Sequence, residues 1–333
     1  MRHRLAALAT LPTVAIVCGG CGKQSPLNPQ SGPARDVSTL WWWLFVVAGL
    51  FFVGTVFLLL LSWVLRKREG MPVIGTSATR TTGLVVAFGM VIPLLVLVSV
   101  FVISDLIVIK KTEAPKAATT ALTVEVIGHQ WFWEVRYAGT TAVTANEIHI
   151  PAQTRVNLIG KTADVIHSFW VPQLNRKIDM LPGRTNRVLL YADKPGRYRG
   201  TCSEFCGLQH AHMGTYVFAD PPDTFRAWLA HMAQPAPAPA TAIERRGEQV
   251  FQSNQCASCH SIRGTPAIGD VGPDLTHLAT RTTLAALAIP NRKDELTAWI
   301  RDPQHFKPGN KMPALGLSGS DLQAVVAYLE SLR

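Results

Sequence analysis

The chain has 333 residues, 48% of them apolar and 16% charged, with a formal net charge of +10 and six cysteines. That apolar content excludes a disordered chain, and the length accommodates two ordinary domains beside membrane segments. Residues 1–116 hold the positive excess, eleven Lys and Arg against four Asp and Glu, whereas 117–233 carry eleven against nine and the remainder ten against nine. The folded domains are therefore nearly neutral, and the chain is expected not to bind nucleic acid.

Arg2 and Arg4, an apolar run from Leu5 to Val17 and the small-residue cluster CGGC form the layout of a signal peptide over residues 1–21. Cys21 is a candidate lipidation site, although Cys18 stands where such sites usually carry an aliphatic residue. Two nearly uncharged runs, 40–65 and 84–109, are each long enough, at about 1.5 Å per helical residue, to cross a hydrocarbon layer about 30 Å thick. Trp41, Trp42 and Trp43 open the first like interfacial aromatics, and Arg66, Lys67, Arg68 and Arg80 fill the connection. The excess of cations there predicts a cytoplasmic connection and both termini outside, with Lys110 and Lys111 a smaller opposing set. Pro93 is tolerated in the second helix, with a kink or within a packed pair.

From Leu122 the pattern becomes β-type: LTVEVIGHQWFWEVRY, EIHI, TRVNLIG, RVLLYA, GRYRGTC and GTYVFA, separated by turn residues such as Pro182-Gly183 and Pro195-Gly196. An all-β sandwich or barrel is predicted over 117–220. Its segment CSEFCGLQHAHM puts Cys202, Cys206, His210 and Met213 in one loop, and DVIHSFWVP supplies His167. Thiolate, imidazole and thioether form a soft donor set. A disulfide, a Cys2His2 zinc site, a single copper and a copper pair all remain open at this stage, with Met213 and the β setting favouring copper.

Residues 221–241 read as an amphipathic helix, with Phe225, Trp228, Leu229 and Met232 on one face, followed by an extended, semi-rigid Pro/Ala linker, QPAPAPA, that marks a domain boundary. Residues 242–333 look helical, with segments starting near Ala242, Lys293 and Ser318. Here CASCH places Cys256 and Cys259 for thioether bonds to haem and His260 for the iron. Met312 is the favoured second axial ligand, with His277 and His305 as rivals. Gly247 and Phe251 before the motif, GPDL at Gly272–Leu275 and Tyr328 in the terminal helix resemble the class I cytochrome c fold.

Together the two spans, the β-domain with its Cys202/Cys206 loop and the CxxCH domain resemble cytochrome c oxidase subunit II with a fused cytochrome c domain, as in caa-type haem-copper oxidases. The resemblance implies a multidomain membrane protein: a two-helix transmembrane hairpin, an all-β cupredoxin domain and an all-α class I cytochrome c domain. It implies that Cys202 and Cys206 bridge the binuclear copper A centre, with His167 and His210 binding one copper each and Met213 and the Glu204 carbonyl completing it. The Glu204 carboxylate would face a magnesium at the subunit I interface, Asp164 would lie near that interface, and Trp131 in GHQWFWEV would receive electrons. Phe132 and Trp133 fit better as buried strand aromatics, and His212 as an exposed or supporting residue.

Covalently bound haem c would then take electrons from a cytochrome c or a quinol-oxidising complex and pass them to copper A. Subunit I, accompanied by subunit III, would reduce oxygen to water with proton pumping. The implied location is the bacterial cell membrane, multi-pass, with both redox domains on the outer, periplasmic or extracellular, side. GLVVAFGMVIP lacks the glutamate that many members carry early in the second helix, so a proton-intake role does not carry over. The alternatives are a free-standing membrane-anchored redox carrier or copper-handling protein, and a nitric oxide or quinol-linked relative.

Overall fold

The computed structural model describes residues 24–65, 78–113 and 120–333. The signal-peptide reading, Cys18, Cys21 and the cluster Arg66–Arg68 lie outside the described residues.

Helix α1, Gly32–Leu65, contains the first apolar run and begins a full two turns before it. Those added turns rest on the β-domain: Ala34 and Ser38 are buried, the Gln30 N–H donates to the Gln173 carbonyl at 2.8 Å, and Arg35 pairs with Asp193. Helix α2, Ala78–Leu106, contains most of the second run. It widens to a π turn over Ala87–Val91, just before Pro93. A proline ring collides with the carbonyl four residues back, here that of Gly89, and the wider turn relieves that collision without breaking the helix. Both helices present their apolar side chains outward, as lipid-facing spans do.

Ten strands follow: β1 Leu122–His129, β2 Phe132–Tyr137, β3 Val143–Ala145, β4 Glu147–Pro151, β5 Val156–Thr162, β6 His167–Trp170, β7 Ile178–Met180, β8 Asn186–Leu190, β9 Gly196–Cys202 and β10 Gly214–Asp220. They form two five-stranded sheets, β3-β2-β1-β5-β8 and β4-β10-β9-β6-β7. The long run LTVEVIGHQWFWEVRY is a hairpin rather than one strand, paired from Val124↔Tyr137 to His129↔Phe132 with Gln130-Trp131 at its tip. Alternating inward residues, among them Val124, Val126, Trp133, Val135, Leu158 and Met180, fill the space between the sheets. Helix α3, Pro222–Met232, closes one end: Phe225 and Met232 are buried, and Trp228 stacks on His149 at 4.1 Å.

The last part is built on helices α4, Ala242–Ser253, α5, Lys293–Arg301, and α6, Gly319–Ser331. A capping box, Thr241 with Glu244, starts α4, and the Ser318 side chain caps α6. The two helices cross at Gly247, where a Cβ would stand 2.0 Å from the Ala324 carbonyl oxygen, so only glycine permits this approach. Phe251 and Tyr328 meet edge to face beside the crossing, at 6.1 Å. An unexpected feature is a small hairpin of β11, Thr283–Leu284, and β12, Ile289–Pro290. The Pro/Ala segment is packed against its neighbours. It lies against the haem-type domain, with the Ala236 N–H donating to the Arg263 carbonyl at 2.9 Å and the Arg263 guanidinium reaching the Met232 and Thr141 carbonyls at 2.6 and 2.5 Å.

Candidate redox centres

The copper-type cluster forms where strands of the second sheet meet a loop. Cys202 ends β9, the loop to β10 carries Cys206, His210 and Met213, and His167 opens β6, whose Phe169 pairs with Cys202. The sulfurs of Cys202 and Cys206 stand 3.8 Å apart and unbonded, which removes the disulfide reading. His167 Nδ1 lies 3.9 Å from Cys202 Sγ, and His210 Nδ1 lies 3.6 Å from Cys206 Sγ. Met213 Sδ is 3.8 Å from Cys206 Sγ, and the Glu204 carbonyl oxygen is 3.2 Å from Cys202 Sγ.

The donor atoms of His167, Cys202 and Cys206 all lie within 4.8 Å of one another, and His210 stands outside that group on the second sulfur. One tetrahedral zinc ion would gather all four donors at about 2.0–2.3 Å from a single point. Two imidazoles on two different sulfurs instead suit two metal ions sharing two thiolates. The contact with Cys206, helped by nearby backbone, lowers the Cys202 thiol, and the same contact together with burial raises Cys206. A cation between the sulfurs would release the second proton.

The support around the cluster is equally specific. Asp164 Oδ1 lies 2.8 Å from His167 Nε2, and its other oxygen accepts the Gln130 N–H at 2.7 Å. Although burial raises its pKa, these hydrogen bonds win and hold the Asp164 carboxyl at about 2. Gly128, at the end of β1, lets His167 pass: a Cβ there would stand 2.8 Å from its Cδ2. Trp133 is fully buried under the loop, its indole N–H toward the Met213 carbonyl at 3.4 Å. Phe132 is only half-buried and faces the neighbouring cavity rather than the core.

That cavity is the haem-type site. Cys256, Cys259, His260 and Met312 line it together with apolar side chains including Phe251, Leu296, Trp299 and Leu329. His260 Nδ1 donates to the Pro273 carbonyl at 2.8 Å, so Nε2 is the bare nitrogen, and burial lowers the pKa of the ring and keeps it neutral. The Met312 backbone is clamped by Asn310 Oδ1 and Gln304 Nε2, at 2.8 and 2.9 Å. The rivals are placed elsewhere: His305 is exposed and does not line the cavity, and both ring nitrogens of His277 face carbonyl oxygens, of Arg333 and Gln234, at 3.0 and 3.1 Å. Arg281 lines the same cavity and has a buried Nε with no protein partner. Its Nη2 donates to the Asp274 carbonyl, and the remaining unpartnered N–H of this buried guanidinium fits an anionic group such as a haem carboxylate, so the residues present match a covalently bound haem.

Trp131 touches both sites. Its indole N–H donates to the Cys206 carbonyl at 3.0 Å, and the residue lines the haem-type cavity with Gln130 and Phe132. Several residues at this junction escaped sequence reading. Lys307 is buried and donates to carbonyls of both domains, and Glu147, also buried, accepts from Thr282 and Thr283. No motif marks either one.

Comparison with known proteins agrees with this architecture. Residues 140–219 match the family described as cytochrome C oxidase subunit II, periplasmic domain, and residues 244–333 match cytochrome c. A cytochrome c oxidase subunit 2 from Alkalihalophilus pseudofirmus is 33% identical over 317 residues, covering 92% of this chain and 90% of that one. One from Bacillus subtilis is 28% identical, covering 97% and 96%. Among solved structures, the periplasmic domain of subunit II of cytochrome oxidase from Bradyrhizobium japonicum is 30% identical and covers 36% of this chain and 96% of its own, with a TM-score of 0.34. An oxidase subunit thereby replaces the free-standing carrier among the readings. With a copper A cluster in its β-domain, a fused cytochrome c domain and two candidate spans, the chain belongs to the cytochrome c oxidase subunit II family, the membrane-anchored part of the haem-copper oxidase complex that delivers electrons to subunit I.

Proposed function

We infer that electrons cross this chain along one path: from the haem held by Cys256, Cys259, His260 and Met312, through Trp131, to copper A. Cys202, Cys206, His167 and His210 would hold the copper pair, with Met213 and the Glu204 carbonyl completing the donor set. The observation that carries this reading is the double role of Trp131, bonded to the Cys206 backbone and lining the haem-type cavity. When bound, haem and copper supply one-electron chemistry with little change of geometry.

The chain's own residues hold and shield. Asp164 fixes the His167 tautomer, Pro273 fixes that of His260, and buried Met213 and Trp133 keep water from the copper side. The exposed Glu204 carboxylate is available to a magnesium ion at the contact with subunit I. A cytochrome c or a quinol-oxidising complex is the donor in this reading, and subunits I and III are the neighbours. Both redox domains lie outside the membrane, an orientation favoured by the cationic connection between the spans.

Metal analysis with electron paramagnetic resonance on the purified full chain tests the assignment. Two coppers sharing one unpaired electron, together with one haem c, are expected. A single copper or a zinc ion would overturn it.

A further inference from the structure

The junction between the two redox domains is built from buried polar groups that reach across in both directions. The Lys307 ammonium of the haem domain has three N–H donors and three carbonyl partners: Trp131 at 2.9 Å and His212 at 2.9 Å in the copper domain, and Ala285 at 3.3 Å in its own. In the opposite direction, Glu147 of the copper domain accepts at one oxygen from Thr282 N and Oγ1, at 2.9 and 2.6 Å, and from Thr283 N and Oγ1, at 3.1 and 3.2 Å. Both side chains are 3% exposed. Burial lowers the Lys307 pKa to about 7, and a polar side chain buried to that degree is tolerated only where its partners stay in place; here those partners belong largely to the other domain.

The backbone between them carries the same mark. Ala285, Ala286 and Leu287 have φ values of +52°, +57° and +69°, three successive L-residues in the left-handed region. Isolated chain avoids such a run. The turn is held by the copper domain: the Gly214 N–H donates to the Ala286 carbonyl at 3.1 Å, and a Cβ at Gly214 would stand 2.9 Å from Leu287 Cδ1. Gln209 Nε2, from the copper loop itself, adds a bond to the Pro308 carbonyl at 2.7 Å. Trp131 belongs to the same junction: Lys307 holds its carbonyl, and its indole N–H donates to the Cys206 carbonyl.

We propose that Lys307 and Glu147 are positioning residues that latch the haem domain onto the copper domain, so that Trp131 links the two centres in one fixed geometry rather than through repeated tethered encounters. The proposal rests on the path through Trp131 inferred above. Each event moves one electron from reduced iron to the oxidised copper pair, and the latch residues change no bond. The Pro/Ala segment then connects two docked bodies, and an external donor must reach the haem from a side that the copper domain leaves open.

The test combines two readouts on the full chain in its oxidase. Amide hydrogen exchange at Thr282 and Thr283 reports the latch without any redox chemistry, and flash-initiated reduction of copper A reports its consequence. In the unmutated protein both amides should be protected at least tenfold over exposed amides, and the transfer rate should not change with solvent viscosity. Lys307→Met should leave the absorption and resonance spectra of both centres intact, deprotect the two amides, slow transfer at least tenfold and make it viscosity-dependent.

Unprotected amides or viscosity-dependent transfer in the unmutated protein would overturn the latch, as would unchanged transfer in a spectroscopically intact Lys307→Met. Should that variant lose a centre, Glu147→Ala and the unmutated protein decide by the same criteria. Absence of either spectrum from the unmutated protein would instead defeat the proposed path, and amide exchange would still decide the latch.

Discussion

Asp164 Oδ1 stands 2.8 Å from His167 Nε2. A carboxylate only accepts, so this contact puts the ring proton on Nε2 and leaves Nδ1 bare, 3.9 Å from the Cys202 sulfur. An aspartate three residues upstream of the ligand therefore decides which nitrogen meets the metal. Asp164→Asn keeps the shape but offers an amide that can turn its donor toward the ring. Copper affinity is expected to fall about 10–100-fold, as for other supports behind ligating histidines, with a changed copper resonance spectrum. Competition against a chelator measures it, and an unchanged affinity would show that the carboxylate does not orient His167.

For the haem-type site, Met312→Ala should abolish the Met-to-iron charge-transfer band and move the haem potential to more negative values, because the thioether favours ferrous iron. His305→Ala should leave both unchanged, since His305 is exposed and does not line the cavity. Absorption spectra and a redox titration of the two variants settle the choice of axial ligand. Survival of the band in Met312→Ala would sink the assignment.

Legibility followed the range of the interactions. CASCH puts three haem groups within five residues, and its chemistry reads directly from spacing. The four copper residues of the β9–β10 loop are similarly local, but His167 enters only through the pairing of β6 with β9, so the complete set needed family resemblance. The hairpin LTVEVIGHQWFWEVRY shows another limit: its two-residue tip, Gln130-Trp131, carries no glycine or proline to mark it. TTLAALAIP offers good helix formers, yet the contacts of Gly214 and Lys307 hold it in a left-handed turn. Lys307 and Glu147 carry no signal in the sequence because their partners across the junction lie 95 to 176 residues away along the chain.

Gly247 tests the helix crossing that frames the haem cavity. In Gly247→Ala the new methyl would meet the Ala324 carbonyl at 2.0 Å, so α4 and α6 must separate. Overpacking of this kind costs about 1–3 kcal/mol. A lower urea midpoint for loss of the haem spectrum is expected, while the copper resonance in the folded baseline stays unchanged. An unaltered midpoint would mean that the crossing has room the structure does not show.

Acid stability of the haem domain should trace to its helix caps. Asp321 accepts from Ser318 Oγ at 2.8 Å and pairs with Arg246 of α4 at 2.6 Å, and these contacts, the Ser318 bond first, hold its pKa below the ordinary 3.8. Glu244 accepts from the N–H groups of Thr241 and Ala240, at 3.0 and 2.7 Å, and is held below 4.5 for that reason. A carboxyl whose folded pKa is depressed binds its proton more readily when the chain is unfolded. The stabilisation is therefore fully present above the unfolded values and is lost as the pH falls through the folded ones. Thermal melting followed at the haem spectrum should show Asp321→Asn below the unmutated protein at neutral pH. The two should converge once the pH has fallen through the depressed folded-state pKa of Asp321, and added salt should shrink the gap by screening the exposed Arg246 pair. A gap that stays constant with pH would mean that Asp321 acts through packing rather than charge.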